Sequence, residues 1–210
     1  MNVPSGLLIH GFGGHARSVA DIALAAGIAQ LLFVDANARP GESLHGFEVR
    51  REWSGPLPQG WAVFSASGNG DTRRRHVAGF REARLPIATL VAPNATLGLG
   101  SRIGAGTLVA RSAHVGPDAV IGEGCILNTG ALVEHECTIG DYTHVSVNAS
   151  IAGRSRIGAL CMVGAGAVVV DGVDVCDGVT VGAGAVVVRP ITVAGVYAGV
   201  PARVLRSAQP

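Results

Sequence analysis

The residues able to do chemistry gather in two short stretches. In one, Val133-Glu134-His135-Glu136-Cys137 runs on to Asp141-Tyr142-Thr143-His144, so two histidines nine residues apart stand among carboxylates. A histidine titrating near neutrality suits removal of a proton from an incoming nucleophile, and a carboxylate beside it stabilises the imidazolium that forms. In the other, the apolar run Leu7-Leu8-Ile9-His10 enters Gly11-Phe12-Gly13-Gly14-His15-Ala16. Glycines let a backbone approach a phosphate or ribose closely, and the N-terminus of a following helix favours an anion. Asp35, which closes a second apolar run, Leu31-Leu32-Phe33-Val34, can hydrogen-bond a ribose or a base. Taken alone, the first stretch can equally be a solvated corner and the second a tight packing turn.

Composition removes several other chemistries. All sixteen cationic residues are arginines, so there is no lysine for a P-loop or a Schiff base, and any phosphate-binding cation must be an arginine. A net charge of +1 leaves no basic surplus for nucleic acid. No uncharged apolar stretch reaches the length of a membrane span. The opening MNVPSGLLIHGFGG has no basic leader, and Cys125, Cys137, Cys161 and Cys176 form no CxxC pair, so a reduced, cytoplasmic protein is expected.

These groups need elements to hold them, and the second half of the chain declares its element by period. From Val91 to Val193 every sixth residue is aliphatic, eighteen consecutive hits including Val109, Val133, Val145, Ile157, Val169 and Val181. The residue two places earlier is small (Ala113, Cys125, Ala131, Cys137, Thr143, Ser155, Cys161), and the residue after is often glycine. Such a hexad describes a short strand and a corner: the aliphatic points inward, the small residue stacks beside it, and glycine helps the turn. Three hexads close one triangular coil, so about six coils are expected. A core this narrow has no room for rings, which fits nine aromatic residues in 210. Cys125, Cys137 and Cys161 fall at the small inward place and read as structural.

Residues 1–85 follow a different rule. A helical pattern through Val19, Ala20, Ile22, Ala23 and Leu24 ends at Gly27, and a third strand, Trp61-Ala62-Val63-Phe64, leads into Ser67-Gly68-Asn69-Gly70. A helix follows, with Asp71 expected as its N-cap. Arg73-Arg74-Arg75 reads as a solvated face from which Arg73 can reach a phosphate. Strand, glycine-rich turn, helix and a strand ending in an acid is the βαβ nucleotide-binding arrangement.

The hexads resemble those of the hexapeptide-repeat acyltransferases. Together, GFGGHAR, VEHECTIGDYTHVS and the closing GVPAR are similar to sugar O- and N-acetyltransferases of the sialic acid and bacillosamine type. The resemblance implies a Rossmann-like α/β domain (1–85), a left-handed parallel β-helix (86–193) and a tail (194–210) that closes a coenzyme A site. It implies a homotrimer with active sites between neighbouring prisms, and acetyl transfer from acetyl-CoA to a nucleotide-linked amino sugar of the 4-amino-4,6-dideoxy type. By position, His135 is then the general base, Glu136 the carboxylate that raises its basicity, and His144 the group at the thioester end of acetyl-CoA. Gly13, Gly14 and His15 contact the substrate, with Asp35 near the base and Gly68 beside the ribose or phosphates. Arg17 stands where such chains often carry a lysine, while Ala36 replaces a second acid and leaves the nucleotide base open. Coenzyme A runs past Ala165 and Ala183 toward Pro201 and Arg203.

The same residues admit three other readings: an O-acetyltransferase of the sialic acid type, a non-catalytic binding β-helix, and a zinc hydratase built on His114, His135 and His144. The last lacks the paired histidines such β-helices carry, so no metal is expected.

Overall fold

The computed structural model describes residues 3–207, so the last three residues of the expected tail lie outside the described residues. Its first unit is a five-stranded sheet of β1 (Gly6–His10), β2 (Gln30–Val34), β3 (Ser43–Leu44), β4 (Phe47–Arg50) and β5 (Trp61–Ser65), with helices α1 (Gly14–Ala25) and α2 (Gly70–Glu82). The strand order is β3-β4-β2-β1-β5. β1 lies between β2 and β5, parallel to both, and both of its faces are covered, which is why it reads as an unbroken apolar run. Leu7, Ile9 and Phe33 face α1, while Leu8, Leu32 and Val63 share the opposite face with Phe80 of α2. The carboxyl ends of β1, β2 and β5 therefore open on one crevice, the place where parallel α/β sheets bind ligands. α2 is capped by Asn69 rather than Asp71: the Asn69 Oδ1 accepts from the Thr72 amide at 2.9 Å, and Asp71 stands within the first turn. Asparagine is as good a cap, and it sits two residues closer to the glycine-rich bend.

The second unit is the β-helix. Two-residue strands at eighteen-residue intervals stack in parallel, and each hexad aliphatic pairs with its equivalent one coil on, as Val115 does with Val133 and Leu127 with Val145. The first face begins at Leu90–Val91, the second at Thr96–Leu97 and the third at Arg102–Ile103. The sheets carry eight, six and five strands: the first two faces each hold six strands of the repeat, and the third holds five. The first face gains two strands from the tail, Gly195–Ala198 and Arg203–Ser207. On the third face the last coil is shortened. Val175 bridges to Ile191, not to Val193, and Ile191 is buried while Val193 is 56 % exposed. Pro190, with no amide to give and a fixed φ, tightens that corner.

The corners show what the small inward residues do. Thr107, Thr143 and Ser155 donate to the carbonyls of Gly122, Gly158 and Val170 at 2.7–2.9 Å and accept the amides of Cys125, Cys161 and Val173. Cys125, Cys137 and Cys161 give their thiols to carbonyls at 3.1–3.2 Å in the same way. Corner polarity is thus satisfied inside the prism. From Leu97 to Val181 the turning itself belongs to the residue three places after the aliphatic, which has positive φ whether it is Gly130, Tyr142, Asn148 or Glu136 (φ 57°). The glycine directly after the aliphatic serves packing between coils instead.

The α/β unit sits on the first face. Leu90, Leu108 and Ile126, which point outward from the prism, share one core with Leu7, Ile9 and Phe33. Arg111 reaches Asp21 of α1 at 2.6 Å, and Arg81 of α2 pairs with Glu123, which also accepts from the Tyr142 hydroxyl.

Candidate active site

The crevice at the carboxyl ends of β1, β2 and β5 is a cleft of about 770 Å³. Gly13, Gly14, His15, Asp35 and Gly68, all expected on the substrate, line it together. Asp35 is turned toward backbone: its Oδ2 accepts from the Phe12 amide at 2.8 Å and its Oδ1 from Asn37 at 2.9 Å. It therefore shapes the glycine turn, with lone pairs left over on the cleft side. Arg17 lies over the Phe12 ring and bonds the Gly13 carbonyl at 3.3 Å, and it does not line the cleft. The cation that does is Arg51, joined by Trp53, His10, Thr72 and His76. Nothing local in the sequence marks this set, because β4 and the loop after it carry no motif. His76 Nδ1 meets the Ser65 hydroxyl at 2.9 Å, and burial pushes the pKa of His10 down to about 4.

His15 and His144 meet where the two units join, with ring centroids 6.3 Å apart. The Asn128 Oδ1 accepts from the Thr129 amide at 2.8 Å, which leaves the Asn128 Nδ2 to donate to His144 Nε2 at 3.2 Å. The His144 proton is then on Nδ1, a buried donor that faces the Gly68 backbone without forming a full hydrogen bond, and His15 Nε2 is likewise buried without a hydrogen bond. Burial, and then the nearby Arg73 guanidinium, holds both rings down to about 4, so both are neutral at physiological pH.

His135 lies elsewhere. It sits at the corner between the second and third faces, whereas His144 is on the first face. Its Nδ1 is 3.0 Å from Glu136 Oε2, a pairing that the positive φ of Glu136 allows between adjacent residues. One coil on is Gly153, where an added Cβ would come within 2.5 Å of the His135 ring. Only glycine leaves the imidazole its bed, a signal visible in sequence only once the eighteen-residue stacking is known. His114, on the second face, bonds Thr96, so the three histidines of the zinc reading do not converge in one chain. Among the described residues no three metal-ligating side chains form a group. Ala165 and Ala183 are exposed one coil apart on the edge between the first and second faces. The turn carrying Pro201 reaches the same edge: Ala202 donates to Val186 at 2.7 Å, and Arg203 follows it. Among the described residues no helix is long and apolar enough to cross a membrane.

A nucleotide-type cleft seated on a hexad-repeat prism, with histidines at the seam and at a free corner, defines an acyltransferase. Residues 6–80 match the family model described as the PglD N-terminal domain. The acetyltransferase domain of PglB from Neisseria gonorrhoeae FA1090 is 32% identical over 96% of this chain and 100% of that one, with a TM-score of 0.89. The same domain solved with acetyl coenzyme A gives 0.90. The GDP-perosamine N-acetyltransferase of Caulobacter crescentus, in a variant solved with CoA and GDP-perosamine, is 29% identical over 95% of this chain and 96% of that chain, with a TM-score of 0.84. No curated protein sequence matches. The chain belongs to the sugar acetyltransferases of the hexapeptide-repeat, left-handed β-helix superfamily.

Proposed function

We propose that this chain transfers the acetyl group of acetyl-CoA to the amine of a nucleotide-linked amino sugar, of the 4-amino-4,6-dideoxy type, in the cytoplasm. The observation that carries this reading is the pairing of an open glycine-lined cleft with the exposed His135–Glu136 dyad, in a chain that matches acetyltransferases bound to acetyl-CoA and to GDP-perosamine over nearly its whole length. The cleft holds the nucleotide, with Gly13, Gly14, His15 and Gly68 close to it and Asp35 and Arg51 at its sides. The neutral sugar amine attacks the thioester carbon. The new C–N bond forms, the amine proton passes to His135 Nε2, and Glu136 steadies the imidazolium through Nδ1. An N–H donor, for which His144 Nδ1 is the candidate, meets the developing oxyanion. The C–S bond then breaks, and the proton leaves with the coenzyme A thiol. No acyl-enzyme is involved: burial pushes the Cys125 thiol up to about 12 and Cys161 to about 11, so neither offers a thiolate.

The reading requires more than one copy. His135 lies on the edge between the second and third faces, while the cleft, His144 and the coenzyme A residues gather around the first. In a triangular prism that edge is opposite the first face, so a neighbour's His135 must complete each site. Leu132, Val168 and Val186 point outward in a column on the second face and suit that contact. We therefore propose a homotrimer with three composite sites.

The test is thiol release from acetyl-CoA in the presence of UDP-, GDP- and dTDP-linked 4-amino sugars, with light scattering for the assembly. Turnover with one amino sugar and a trimeric mass are expected. Acetylation of a free sugar hydroxyl in place of any amine moves the reading to the O-acetyltransferase, and the absence of any acetyl-CoA binding removes it.

A further inference from the structure

Arg73 is the one charged side chain among the described residues that is fully buried, at 1 % exposure. No carboxylate accounts for it. Its Nε donates to the Gly124 carbonyl at 2.7 Å and its Nη2 to the Tyr142 carbonyl at 2.5 Å, both on the β-helix. Its Nη1 donates to the carbonyls of Ser67 and Gly68 at 3.0 and 2.8 Å, both on the cleft wall. One guanidinium thus ties the cleft to the corner that precedes His144. A buried charge without a counter-ion is expensive, and the four carbonyls it joins are its only compensation.

We propose that Arg73 is a positioning residue for the transfer site: it fixes the Ser67–Gly68 wall against the β-helix and holds His15 and His144 across the seam in their hydrogen-bonding form. This rests on the acetyltransferase reading only for its purpose, not for its geometry. The groups that face the histidine pair are few. His15 comes from α1, His144 from the first face and Arg73 from α2, with the Cys125 thiol behind the guanidinium. Two imidazolium rings would repel each other and Arg73. As neutral rings, each can give or take one bond with a substrate atom at the seam, through the nitrogens left without a full hydrogen bond. The charge that looks wasteful as a staple therefore has a use: it disfavours protonation of the rings beside it.

The sign follows directly. A positive charge lowers a neighbouring histidine pKa, so removing it lets His15 and His144 protonate at higher pH. The experiment is an NMR titration of the histidine rings in the intact protein, alone, beside steady-state kinetics. In wild type, both rings are expected to stay neutral down to about pH 4. In Arg73→Gln, their midpoints rise by roughly one pH unit or more, and the acid limb of kcat moves up with them. In Arg73→Lys, which keeps charge but loses the fork, the midpoints stay low while KM for the nucleotide sugar rises about tenfold. Wild-type midpoints near 6.5 overturn the proposal, as do unmoved midpoints in Arg73→Gln. Should Arg73→Gln fail to fold, wild type and Arg73→Lys decide: low midpoints in both support the proposal, and a Lys variant titrating near 6.5 sinks it. The titration needs no substrate, so its failure leaves acetyl transfer untouched, and a failure of transfer leaves it standing.

Discussion

A methyl group added at Gly98, Gly104, Gly116 or Gly140 would fall 2.4–2.5 Å from the backbone of the next coil, whereas at Gly13, Gly14 and Gly68 it would meet nothing within 4 Å. In the β-helix these four glycines let one coil lie on the next. In the α/β unit these three leave room that the chain itself does not fill. Aromatic rings divide along the same boundary: all five phenylalanines and both tryptophans precede residue 81. At these positions the missing side chain serves packing between coils in the prism and leaves open space in the cleft.

The largest loss of stability is expected from Gly116→Ala. Its Cβ would press on the backbone of Glu134 and His135, and overpacking against a rigid neighbour costs roughly 1–3 kcal/mol. Urea denaturation should show that loss, and a midpoint equal to wild type would mean that the coils can part. Next is His135→Ala, which removes the proposed base at a half-exposed corner and leaves the inward-facing core of the prism as it is. Turnover should fall ~10²–10⁴-fold with the thermal midpoint unchanged, and near-normal activity removes the base assignment. Gly14→Ala sharpens the other side. With open space around it the fold should be untroubled, while a methyl in an occupied site, at roughly 1–3 kcal/mol, raises KM for the nucleotide sugar about ten- to hundredfold. Unaltered KM would make Gly14 an ordinary helix start. Glu136→Gln should lower kcat by about tenfold, the worth of one hydrogen bond to a charged group, measured with KM unchanged. The smallest effect is expected from alkylation of the native protein: with Cys125 and Cys161 held well above the thiolate range, acetyl transfer should survive it. Rapid loss would reopen covalent catalysis.

Much of this was legible because of how the two units are built. A coil of the β-helix touches only the coils above and below, so its pattern is local and the hexads from Val91 onward state it outright. The contact of His135 with Glu136 was legible for the same reason, the two being neighbours in sequence and partners in space. Residues whose role depends on how the units dock were not. Arg73 looks like part of a solvated arginine run, and only the helical phase it shares with Val77 and Phe80, at i+4 and i+7, gives away the buried face. Arg51 and Trp53 come to the cleft from a loop without a motif. The end of the repeat also misled: Val193 keeps the period, but Pro190 has already shortened the coil and put Ile191 inside.

The tail has one more consequence. Gly195–Ala198 continues the first face in parallel, and Arg203–Ser207 then pairs with it antiparallel. A parallel ladder is a template that another molecule's first coil could extend, since its hydrogen bonds are evenly spaced and slanted. Reversing the final strand replaces that spacing with alternating wide and narrow pairs, which no hexad coil matches. On this face the ladder closes in a hairpin, whose outer strand offers no evenly spaced parallel register for another coil to extend.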